Sequence, residues 1–167
     1  MPSLFDTLHK DTPNPLDNIE DILHANDWDF NRMGDNELLV TLAGKYGDYQ
    51  LIFLWQADMT ALQISVQYNL IISAHNIMNA ANILMTINER SWMGHFEIAA
   101  DTNTPSFRYT TLLNPENKQS YEQLESILDI ALAQCETNYA AFSLLSADTA
   151  ANNDTLPLAL MQTQGAS

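Results

Sequence analysis

Apolar residues fall at helical spacing in three stretches of the chain and alternate with polar residues in the segments between them. Leu16, Ile19, Ile22 and Leu23 form one stripe of a helix from Pro15 to Ala25, with Asn14 positioned as N-cap and Pro15 at the first turn, where its missing N–H costs nothing. The period then changes to two. Trp28 and Phe30 share one side of a short strand, Gly34-Asp35-Asn36 supplies a turn, and Leu38, Val40 and Leu42 alternate with Leu39, Thr41 and Ala43. After the turn Gly44-Lys45-Tyr46-Gly47-Asp48, Tyr49, Leu51, Phe53 and Trp55 alternate with Gln50, Ile52, Leu54 and Gln56. The second set is half apolar, which predicts partial cover on both sides of the sheet. Beyond Asp58, Leu62, Ile64, Val66 and Tyr68 alternate with Gln63, Ser65, Gln67 and Asn69, a cleanly one-sided strand.

Ser73 is placed to cap a second helix reaching Glu89, in which Ile77, Met78, Ala80, Ala81, Ile83, Leu84, Met85 and Ile87 are apolar and Asn76, Asn79, Asn82, Thr86 and Asn88 fill the other positions. Phe96, Ile98 and Ala100, then Phe107, Tyr109, Thr111 and Leu113, read as two antiparallel strands. Ser120-Tyr121-Glu122-Gln123 matches a capping box and opens a third helix to about Ala140, with Leu124, Ile127, Leu128, Ala131, Cys135 and Tyr139 as its inner stripe. The order α-ββββ-α-ββ-α predicts an α+β fold, an antiparallel β-sheet packed with helices. Residues 14–145 form the domain, 1–13 an N-terminal arm, and 146–167 a C-terminal tail that is either a short docking helix or disordered.

Composition narrows the function. Charged residues make up only 16% of the chain, yet 21 Asp+Glu face 6 Lys+Arg, for a net charge of −15. The six cations, Lys10, Arg32, Lys45, Arg90, Arg108 and Lys118, are scattered singly, which argues against nucleic acid and against anionic membrane surfaces as partners. No apolar run is long enough to span a membrane, and the first twelve residues lack a signal-peptide core, so a cytoplasmic location is expected. Cys135 is the lone cysteine; it lies in an apolar stripe without a basic neighbour, the setting of a core residue rather than a nucleophile. His9, His24, His75 and His95 are dispersed, and no metal site or cofactor is expected; Asp27 and Asp29, alternating on one side of a strand, read as a solvated edge.

Asn14-Pro15-Leu16-Asp17, Ala25-Asn26-Asp27-Trp28-Asp29-Phe30 and above all Ile87-Asn88-Glu89-Arg90-Ser91-Trp92-Met93-Gly94-His95-Phe96 resemble the YbjN family of bacterial proteins, described as sensory-transduction regulators. The likeness runs from about Asn14 to Phe142. That family is similar in fold to the type III secretion chaperones, small acidic homodimers that hold segments of other proteins. The resemblance implies architecture and a class of role, but no catalytic residues. Within its most specific block, Glu89, Arg90, Trp92, Gly94, His95 and Phe96 are expected to be structural, with Glu89 and Arg90 anchoring the helix end and His95 packing or capping beside it.

The charge distribution adds a site. Between Asp58 and Glu89 lie 30 residues without Asp, Glu, Lys or Arg. Because desolvating a charge is costly, interface cores are depleted of charge. The gap fits either a homodimer interface built from Leu62, Ile64, Val66 and Tyr68 of the strand and Ile77, Ala81, Leu84 and Met85 of the helix or a helix buried in the monomer, and the resemblance to the chaperone-like fold implies the dimer. Trp55 and Tyr68 are candidates for a surface that receives a protein partner. The expected function is a non-enzymatic, homodimeric protein-binding module, a chaperone-like adaptor or regulator. The alternative is a small-ligand sensor with a pocket between sheet and helix.

Overall fold

Asn14 caps the first helix as its position predicts. In the computed structural model, which describes residues 13–147, its side-chain oxygen accepts from the Leu16 N–H at 3.0 Å, and Pro15 occupies the first turn of α1 (Pro15–Ala25). Leu16, Ile19 and Leu23 are buried at helical spacing against the sheet. Arg32 fastens the outer side of this helix, donating to Glu20 at 2.6 Å and Asp17 at 3.3 Å. The Asn14 side-chain amide also donates to the Asp35 carbonyl, tying the helix start to the first turn.

Six strands follow: β1 (Phe30–Arg32), β2 (Glu37–Ala43), β3 (Asp48–Gln56), β4 (Ala61–Tyr68), β5 (His95–Ile98) and β6 (Pro105–Leu112). They form one antiparallel sheet in the order β1-β2-β3-β4-β6-β5. A second helix, α2 (Ile77–Arg90), links β4 to the far edge strand β5. The chain returns as β6 between them and ends in α3 (Lys118–Ser146).

Register decides which residues share a face. One cross-strand row runs Phe30–Val40–Leu51–Val66–Phe107–Phe96, all apolar. With Leu38, Tyr49, Phe53, Trp55, Leu62, Ile64 and Tyr68 it forms the covered face. The helices pack over this face, and α3 contributes the longest stripe: Leu124, Leu128, Ala131, Cys135, Asn138, Phe142 and Leu145, spaced alternately by four and three residues. Tyr68 closes the layer by donating its hydroxyl to the Cys135 carbonyl at 2.7 Å.

Three expectations need correction. The third helix begins before the Ser120 capping box: Asn117 is the N-cap, accepting from the Gln119 N–H at 3.0 Å, and Ser120 lies inside the helix. Its C-terminal end extends past Ala140 to Ser146 because Ala141, Phe142 and Leu145 continue the buried stripe. Ser73 precedes a 3-10 turn (Ala74–Asn76) without capping its backbone, its Oγ instead accepting from the Asn76 side-chain amide at 3.1 Å, and the α-helix itself starts at Ile77. Cover on both sides of the sheet is also not found: among the described open-face apolar residues only Ala61, at the sheet's end, is buried, and Leu39, Ile52 and Leu54 stay outside the core cluster. Apart from Pro13, Ser146 and Ala147, the expected arm and tail lie outside the described residues.

Candidate functional site

Strand alternation that drives one set of side chains into the core leaves the other set on a surface that no described helix covers. Its central row reads Asn31–Leu39–Ile52–Ser65–Arg108–His95 across all six strands. The adjacent rows are Glu37–Leu54–Gln63–Thr110 and Thr41–Gln50–Gln67–Ser106–Glu97. Leu39, Ile52 and Leu54 thus form a contiguous apolar centre: Leu39 faces Ile52 across the strands and Leu54 lies two residues along β3. Leu54 is 38% exposed. Ser65 and Ser106, short side chains beneath longer neighbours, are nearly buried.

Carboxylates sit around this centre rather than in it. Glu37 is opposite Leu54, Asp48 begins β3, and Glu97 stands on the edge strand. Arg108 is held by Glu97 at 2.5 Å, and His95 Nε2 lies 3.5 Å from the same carboxylate. The face therefore has an apolar centre, a ring of amides and hydroxyls, and an acidic rim whose arginine is engaged by a carboxylate.

A second exposed surface lies on α2. Ala80, Ile83 and Ile87 are buried beneath the helix, whereas Met78, Ala81, Asn82 and Met85 point outward. Met78 is 78% exposed and Met85 74%, and no charge interrupts the stripe before Glu89. Trp92, 100% exposed, follows just beyond the helix end.

The residues singled out from sequence separate cleanly here. Leu62, Ile64, Val66 and Tyr68 lie on the covered face and are packed under the chain's own helices, so a second chain does not reach them. The same holds for Trp55, which with Tyr68 was expected to receive a partner. On α2, Ala81 and Met85 are exposed, while Ile77 and Leu84 are half-buried flanks. The charge gap spans both environments because burial in a monomer and burial in an interface exclude charge for the same reason.

The block Ile87–Phe96 is a structural joint. The Asn88 side chain accepts from the Phe96 N–H at 2.7 Å and donates to the Phe96 carbonyl at 3.0 Å, occupying the outward hydrogen-bonding groups of edge strand β5. Ser91 Oγ donates to the Met93 carbonyl at 2.8 Å, tightening the turn. Gly94 has φ +64° and sits so close to the Phe107 ring that a Cβ would collide with it. Glu89 and Arg90, expected to anchor the helix end, are exposed and form no ion pair among the described residues; Asn88 and Ser91 do that work. His95 neither packs nor caps: it is half-exposed beside Glu97.

Groups with displaced acidities lie in the core. Burial pushes the Cys135 thiol up to about 12, and it raises the Tyr49 and Tyr68 phenols well above their ordinary value. Cys135 is correspondingly a protonated core residue. Among the described residues, no three His, Cys, Asp or Glu are grouped to hold a metal ion. Asp27 sits at φ +55° in the turn after α1, ahead of the strand that begins at Phe30, so it does not alternate with Asp29. A groove of about 420 Å³, lined by Thr60, Leu112, Leu113, Asn114, Pro115, Glu116 and Ser120, lies at one end of the sheet. A smaller one of about 250 Å³, lined by Thr41, Asp48, Tyr49, Gln50, Gln67, Tyr68 and Asn69, lies at the other. No helix among the described residues is long and apolar enough to cross a membrane.

A protein-family model, YbjN, described as "Putative bacterial sensory transduction regulator", matches residues 15–144. No curated protein matches the chain significantly. Among solved structures, the crystal structure of "YbjN, a putative transcription regulator from E. coli" is similar with a TM-score of 0.49 and 14% sequence identity, over 74% of this chain and 91% of that one.

Proposed function

We propose a function from this premise: the chain belongs to the YbjN family. It is a non-enzymatic cytoplasmic regulator that acts by binding other proteins, and it does so as a homodimer. The observation that carries the dimer is the outer stripe of α2, where Met78, Ala81, Asn82 and Met85 are exposed without a charge among them in a chain of net charge −15. Two such chains repel, and close approach is least costly where neither carries a carboxylate to desolvate. A two-fold contact matching each α2 with its copy meets that condition. Burying Met78, Met85 and Trp92 from each copy contributes about 2 kcal/mol per side chain. Association costs roughly 4–15 kcal/mol against that total of about 12 kcal/mol, so the dimer reaches micromolar affinity only at the lower end of that cost.

Protein binding without chemistry is supported by the burial of the groups with displaced acidities, since Tyr49, Tyr68 and Cys135 are at most 2% exposed. Sedimentation equilibrium tests the dimer directly. The chain should sediment as a dimer at tens of micromolar, and Met85→Glu should shift it to monomer while its circular dichroism stays unchanged. A wild-type monomer at that concentration overturns the dimer.

A further inference from the structure

We propose that the open face of the sheet receives an amphipathic helix of another protein, apolar along one side and carrying lysine or arginine at both ends of that side. This rests on the protein-binding half of the function proposed above and is independent of the dimer.

Three features of the face select this occupant. Leu39, Ile52 and Leu54 make an apolar centre one helix wide, and the residues beside it, Gln50, Gln63, Gln67, Thr41 and Thr110, are neutral. The face's carboxylates are confined to its rim. Glu37 and Asp48 lie on adjacent strands, separated along them by six positions of the register, which is about 20 Å. A helix of about 14 residues spans that distance and places a cation over each carboxylate when it lies along β2 and β3. Glu97 already holds Arg108, so the face offers a basic partner little repulsion.

The alternatives fit less well. A second copy of this chain, face to face, sets Glu37, Asp48 and Glu97 against their own counterparts across a −15 pair. An incoming strand needs a free edge, but Asn88 occupies the outward groups of Phe96 on β5, and β1 has only three residues. Anionic lipid and nucleic acid are repelled by the same rim.

The test uses the full chain and three synthetic 14-residue peptides: an amphipathic leucine/lysine helix, its leucine/glutamate counterpart, and a scrambled leucine/lysine peptide of equal charge that lacks an apolar side. The amphipathic cationic peptide should bind saturably, one per chain, at least tenfold tighter than the other two. Ile52→Gln and Leu54→Gln should each weaken it about tenfold, Glu37→Gln about threefold at low salt, and Met85→Gln not at all. Using two face variants guards against loss of fold in either, which circular dichroism checks. Equal binding of both cationic peptides, or binding indifferent to Ile52→Gln and Leu54→Gln, overturns the proposal by showing only general attraction to an acidic chain. So does dissociation of the dimer by Ile52→Gln, which gives the face to a second copy. Sedimentation in the same samples separates the readings: a monomer that binds the peptide on this face removes the dimer alone, and a dimer that ignores the peptide removes this proposal alone.

Discussion

Ile64 and Ser65 are neighbours in β4 and meet opposite environments. Ile64 belongs to the covered face, with Phe53 and Tyr109 at its sides, while Ser65 stands in the open row between Ile52 and Arg108. The same contrast holds across the sheet. Phe30–Val40–Leu51–Val66–Phe107–Phe96 is apolar from edge to edge, whereas Asn31–Leu39–Ile52–Ser65–Arg108–His95 mixes aliphatic, hydroxyl and charged groups. Packing constrains the first row: each position must be apolar and must fit its neighbours. The second row is free of that demand among the described residues, and its apolar centre is where the proposed partner would dock.

The largest expected effect tests that division directly. Phe53→Ala on the covered face should cost about 3–5 kcal/mol in urea unfolding, whereas Ile52→Ala, one residue away, should change stability by less than about 1 kcal/mol. Comparable losses would mean that the open face contributes to the fold and would remove the contrast.

The covered side also answers to pH. Tyr49 and Tyr68 on the sheet and Cys135 above them have acidities weakened by burial, the thiol moving from its ordinary value of 9 to about 12. Each folded-state pKa lies above the unfolded one, so the stability this confers is complete below pH 9 and is lost as pH rises toward 12. Urea midpoints should fall between pH 8 and pH 11, and Cys135→Ala should narrow that fall by removing one of three contributors. A flat profile over this range would show that these groups do not titrate with unfolding.

At the sheet edge, Asn88→Ala leaves the Phe96 N–H and carbonyl without their partner. The expected cost is about 1–3 kcal/mol, with faster hydrogen exchange at Phe96 and concentration-dependent association through the freed edge. The smallest effect belongs to the open face. Glu97→Gln removes the partner of Arg108 where both are partly exposed, and should change stability by only about 0.2–1 kcal/mol. A larger loss would make the acidic rim part of the fold rather than part of a binding surface.

Much of this was legible in the amino-acid order. The α-ββββ-α-ββ-α sequence of elements, the cap at Asn14 and the inward set Tyr49, Leu51, Phe53 and Trp55 follow from spacing, because period and burial are local properties of a segment. Ser120 misled because its capping pattern is genuine but competes with Asn117, which opens the helix one turn earlier. The charge-free run over β4 and α2 was visible as a feature, but its meaning divided in three dimensions, with β4 inward and half of α2 outward. Tyr68 gave no local sign that a helix from the far end of the chain would cover it, nor Trp55 that it would join the core.

The open face shows most plainly where sequence stops. Alternation in β3 determines that Ile52 and Leu54 oppose Phe53, and nothing more. That Leu39, Ile52, Ser65, Arg108 and His95 form one row is set by strand register and by the return of β6 between β4 and β5. That no described element covers the row follows from the packing of the helices on the opposite side. Periodicity is a relation between neighbours within one strand, so it defines two faces. Which face is buried depends on where segments distant in sequence come to lie.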